Sequence, residues 1–150
     1  MSSFAKDGES TMTTLPGWAL LLARASIAPL FLYSGVGKIL AFSTTAGRLY
    51  GGADGFGRFL ASGAIALELG CGVALLLGLF TRSAAVALIF FTIAATVMFH
   101  NFWAAPDAQV LMQTINFLKN LGLAGALTLI AALGAGSISV DAVLGRQTPR

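Results

Sequence analysis

The sequence predicts an all-α fold, an integral membrane bundle of four antiparallel helices. Three observations carry that expectation. Hydrophobic residues are 57% of the 150 and charged ones only 10%, against about 25% charged in soluble domains. Mean hydropathy is +0.84. The apolar residues also fall into four long runs rather than into short amphipathic stretches. A soluble domain of this length could not cover its surface with so few charges, and a disordered chain would not carry so much apolar area.

Residues 1–16 are small and polar, with Lys6, Asp7 and Glu9 and no apolar period, and read as a disordered N-terminal tail. They lack the basic n-region of a signal peptide. Spans are expected at about 17–42, 60–80, 83–103 and 112–135, each 21 to 26 residues long. At 1.5 Å per residue each reaches about 30 Å, the thickness of the hydrocarbon core. Pro29 lies inside the first span, where a missing donor predicts a kink. The loop at about 43–59 holds Gly47, Gly51, Gly52, Gly55 and Gly57 with Tyr50, Phe56 and Phe59. Leu60 stands where a dinucleotide fingerprint needs its third glycine, so this reads as a turn-rich loop with interfacial aromatics. Phe80-Thr81-Arg82 leaves room only for a tight hairpin between the second and third spans. Residues 17–141 form the membrane domain and 142–150 a C-terminal tail.

An even number of spans puts both termini on one side. That side carries Lys6, Arg82, Arg146 and Arg150, against Arg48 and Arg58 on the other, which favours cytoplasmic termini. Arg24 and Arg82 are expected to anchor the cytoplasmic face. The net charge of +3 comes from scattered basic residues, with neither a polybasic lipid patch nor a nucleic-acid footprint. One cysteine, Cys71, excludes an internal disulfide or a CxxC relay, and it reads as a small apolar filler. Gly63, Gly70, Gly72, Gly78, Gly122 and Gly125 read as helix-packing positions, and a homodimer face is left open.

Charged and amide side chains inside spans are costly. Counting from helix ends puts Lys38 near the far end of the first span and Glu68 about 12 Å inside the second. His100 falls one turn inside the third span, and Asn116, Lys119 and Asn120 within three turns of the start of the fourth. Ser34 and Lys38 share a face, as do Thr92, Thr96 and His100, and as do Gln113, Asn116 and Asn120. One polar pocket lined by Ser34, Lys38, Glu68, His100, Asn116, Lys119 and Asn120 is therefore expected in the extracytoplasmic half. Its formal charge of +1 would suit a quinone or a small oxyanion. Each residue also has a structural reading. Glu68 would pair with Lys38 or Lys119, Lys38 would snorkel, and His100 would sit in an aromatic belt with Phe102 and Trp103. A lone histidine makes no metal or haem site, so no metal or intrinsic cofactor is expected.

The blocks "LARASIAPLFLYSGVGKIL" (22–40), "LELGCGVALLLGLFTR" (67–82), "FHNFW" (99–103) and "NFLKNLGLAGALTLIAALGAGSISVD" (116–141) resemble the successive blocks of the DoxX family. That family comprises small four-helix inner-membrane proteins of bacteria and archaea. The resemblance falls on Arg24, Gly35, Lys38, Glu68, Gly78, Thr81, Arg82, His100, Trp103, Asn116, Lys119 and Asn120. Ser34 stands where several members carry histidine. The resemblance implies a membrane subunit or quinone-interacting component of an oxidoreductase or redox-stress system, with electrons supplied by a partner protein. A non-catalytic assembly subunit and an oligomeric small-solute permease remain the alternatives.

Overall fold

The structure, a computed structural model, describes residues 15–49 and 55–146. Lys6, Tyr50, Gly51, Gly52 and Arg150, on which parts of the tail, loop and charge readings rest, lie outside the described residues. The long helices are α1 (Gly17–Leu40), α3 (Phe56–Leu77), α4 (Thr81–Phe99) and α5 (Asp107–Leu133). All four are long and apolar enough to cross a membrane. Two short helices, α2 (Phe42–Gly47) and α6 (Val140–Val143), and a 3-10 turn (Phe102–Ala104) complete the described chain.

The spans fall where hydropathy places them, and the boundaries differ for local reasons. The loop at 43–59 is shorter than expected, because α2 occupies its start and α3 begins at Phe56. Gly55, at φ +56, provides the left-handed turn immediately before α3. The last span begins at Asp107 rather than 112. Pro106 precedes it and Asp107 lies in its first turn, two residue types that suit a helix start. Beyond the last span, α6 runs to Val143, and Arg146 N–H donates to Asp141 O at 2.9 Å.

The helices pack antiparallel, α1 along α3 and α4 along α5, with the α3–α4 hairpin joining the two pairs. The core is Ala28, Phe31, Leu75, Ala85, Leu88, Leu127 and Ile130, with Cys71 packed against it. Close approach of α1 and α3 depends on missing side chains. A Cβ on Gly35 would lie 2.7 Å from Leu69 Cδ2, and one on Gly72 2.9 Å from Leu32 Cδ2. Gly63, Gly70, Gly122 and Gly125 do not pack in this way, since a Cβ on any of them would meet nothing within 4 Å.

Arg24 is 0% exposed and ties three segments together. Its Nη1 donates to Leu75 O and Leu76 O, both at 3.0 Å, and its Nη2 to Ile138 O at 2.6 Å. Thus Arg24 does more than the expected anchoring, because it adds side-chain donors to carbonyls in the last turn of α3, where helical partners run out. Arg82 reaches the last turn of α5, donating to Ala131 O at 3.1 Å and Ala132 O at 2.9 Å. Asp141 completes the knot. Its Oδ1 accepts from Phe80 N–H and its Oδ2 from Thr81 N–H, both at 2.9 Å, which caps the start of α4. Burial pushes the Asp141 carboxyl up, but the Thr81 and Phe80 N–H groups and the nearby Arg146 hold it below the ordinary carboxylate value. Gly78 fits nothing larger. It sits at φ +71, and a Cβ would lie 2.5 Å from Ser139 Cβ and 2.6 Å from Arg24 Nη1.

Candidate functional site

The opposite end of the bundle buries its polar groups differently. Ser34 and Lys38 lie one turn apart on α1 and face Glu68 on α3. Lys38 Nζ donates to both Glu68 oxygens at 2.8 Å and to Ser34 Oγ at 2.6 Å. Ser34 Oγ donates in turn to Glu68 Oε1 at 3.0 Å. Glu68 is 2% exposed. A carboxylate this deep is tolerable only when paired and hydrogen-bonded, and here it has both forms of support.

The cluster borders a cavity of about 960 Å³. Its wall is mainly apolar, with Leu30 and Phe31 from α1, Leu67 from α3, Phe91 and Met98 from α4 and Leu123 from α5. The polar lining is Ser34, Lys38, Thr45, Arg48, Glu68, Thr92, His100 and Asn120. His100 Nδ1 bonds Gln113 Oε1 at 2.9 Å. Phe102, Trp103 and Phe117 form an aromatic cluster with ring centroids 5.2 to 6.0 Å apart. This cluster and the His100–Gln113 bond fasten the "FHNFW" segment to α5.

Of the seven residues expected to share a pocket, five line the cavity: Ser34, Lys38, Glu68, His100 and Asn120. Asn116 and Lys119 do not. Lys119 is exposed, and its Nζ donates to Asn116 Oδ1 at 3.1 Å, which draws the half-buried Asn116 amide toward Lys119. The reason is angular, since neighbouring residues on a helix are about 100° apart and Asn120 and Lys119 cannot both point inward. Arg48 takes Lys119's place as the second cation of the lining. With Lys38, Arg48 and Glu68 the formal balance stays at +1. Thr92 and Thr45 were not expected in the lining, although Thr92 shares the His100 stripe that pointed to it. Asp141 was also missed, and a single carboxylate just beyond the last span was the available signal. Among the described residues no group of His, Cys, Asp or Glu could hold a metal ion.

Four membrane-length helices with a mainly apolar cavity at one end define a multi-pass membrane protein. A family model described as DoxX matches residues 19–101, and one described as the SURF4 family matches 64–144. Inner membrane protein YphA of Escherichia coli K12 is 34% identical over 122 residues, covering 81% of this chain and 87% of that protein. Inner membrane protein YqjF of the same organism is 32% identical over 136 residues, covering 91% of this chain and 99% of that protein. The chain belongs to the DoxX family and is a multi-pass protein of the inner membrane. No solved structure matches it.

Proposed function

We propose that this protein binds a quinone-type ligand in the cavity and serves as a membrane component of an oxidoreductase or redox-stress system. One observation carries the reading: a cavity of about 960 Å³ with apolar walls meets a convergent set of polar side chains at one end of the bundle. That volume is within the range of small-molecule sites, about 300–1,000 Å³. The apolar wall would take a ring and tail, and the polar lining would take the ring oxygens. His100, which lines the cavity, would exchange a proton with a reduced ligand, with Glu68 and Lys38 as a second proton-handling pair. Cys71 is a single thiol, so electrons would come from a partner protein. With cytoplasmic termini, as the loop charges favour, the cavity lies in the extracytoplasmic half.

Titration of the purified full chain with a short-chain ubiquinone tests this reading. Saturable binding is expected, weakened about fivefold or more by Glu68→Gln and unchanged by Lys119→Ala. The absence of saturable binding to the wild-type protein contradicts it.

A further inference from the structure

Hydroxyls on these membrane helices commonly fold back on their own backbone. Ser26 donates to Leu22 O, Thr114 to Val110 O and Thr128 to Ala124 O, each at 2.8 Å, and Thr96 to Thr92 O at 2.6 Å. That bond is the ordinary way for a helix to satisfy a hydroxyl away from water. Thr92 does not make it. Thr92 is 4% exposed and lines the cavity, and its Oγ1 has no hydrogen-bond partner among the described residues. An unmade bond at a buried hydroxyl is unfavourable, and this one belongs to a residue in the cavity wall.

The charge pattern narrows the class of that partner. The Lys38 ammonium already faces three acceptor atoms, Ser34 Oγ and both Glu68 oxygens. The other cation of the lining, Arg48, is exposed. An oxyanion moving in to the buried Thr92 would lose its water, while Lys38 is already engaged and Arg48 stands at an exposed part of the lining. A neutral carbonyl or hydroxyl oxygen pays no such penalty. Gly63 of α3 and Ala94 and Met98 of α4 line the cavity and are exposed, so the cavity is open beside membrane-spanning segments of α3 and α4.

We propose that Thr92 determines specificity for an uncharged, oxygen-bearing amphipath drawn from the bilayer, its hydroxyl donating to the ligand's buried oxygen. The inference rests on the reading of the cavity as a ligand site, and it adds the residue that reads the ligand and the exclusion of anions.

Three probes of similar shape test it on the full chain in detergent by equilibrium dialysis. Menadione carries two ring carbonyls, 2-methylnaphthalene carries no oxygen, and naphthalene-2-sulfonate is an anion. Thr92→Val is expected to weaken menadione about fivefold and to leave 2-methylnaphthalene unchanged, while Thr92→Ser restores menadione binding. Ligand-free Thr92→Val is expected to melt no lower than wild type, because an unpartnered hydroxyl has become a methyl. Equal loss for menadione and 2-methylnaphthalene, no loss for either, or a lower melting temperature of the ligand-free variant overturns the role of Thr92 and leaves the cavity reading standing. Sulfonate binding as tight as menadione binding overturns the neutral-ligand assignment. Failure of both menadione and 2-methylnaphthalene to bind the wild type overturns the cavity reading, and this inference with it.

Discussion

The two ends of the bundle bury charge in opposite ways. At the Arg24 end, backbone satisfies the charges. Arg24 takes the terminal carbonyls of α3, and Asp141 takes the first N–H groups of α4. Helix ends run short of backbone partners, and these side chains supply them where the fold buries the ends. At the Lys38 end, side chains satisfy side chains, and the cluster borders a cavity. The first arrangement closes the fold and leaves no room, as the crowding at Gly78 shows. The second can be altered without undoing a helix end.

The sharpest way to break this contrast is Arg24→Leu. It strips three hydrogen bonds from one buried site and should lower stability by about 3 kcal/mol or more. Thermal unfolding in mild detergent would register this, and a loss below about 1 kcal/mol would place Arg24 outside the structural knot. Asp141→Asn comes next, at about 1–2 kcal/mol from the lost cap and its charge. The Asp141 carboxyl is held low, so its stabilisation is fully present above the unfolded value near 3.9. That stabilisation disappears as the pH falls through the lower folded value. Stability of the wild type should therefore fall at acid pH more steeply than that of the asparagine variant, and matching acid limbs would remove Asp141 from the account.

Lys38→Met alone isolates Glu68 and should cost about 2 kcal/mol, whereas Lys38→Met with Glu68→Leu should recover most of it, because a buried pair can be replaced as a unit. A double variant no more stable than the single one would show that the cluster is as indispensable to the fold as the Arg24 knot. The smallest effect is expected for Lys119→Ala, within about 0.5 kcal/mol, because Lys119 is exposed and bonds only its helical neighbour.

The spans were legible because hydropathy alone sets them, and the hairpin because three residues allow no other connection. Ser34, Lys38 and Glu68 were legible because buried charge in a membrane must find a partner and these residues share a depth. Lys119 misled because depth does not give angle: it lies level with the site and points away from it. Asp141 and the engagement of Arg24 with Ile138 escaped because they join segments more than 50 residues apart through backbone atoms, which no spacing rule encodes. Thr92 escaped because its distinguishing feature is a bond not made, and that is visible only beside threonines that make theirs.

The most direct test of the difference between the two ends is photolabelling of the full chain with an azido-quinone, followed by mass mapping of the labelled peptides. Label is expected in residues 30–41, 60–68 and 91–100, diminished by excess unlabelled quinone. Label concentrated at residues 75–82 and 134–146, or spread evenly along the lipid-facing helices, would contradict the account.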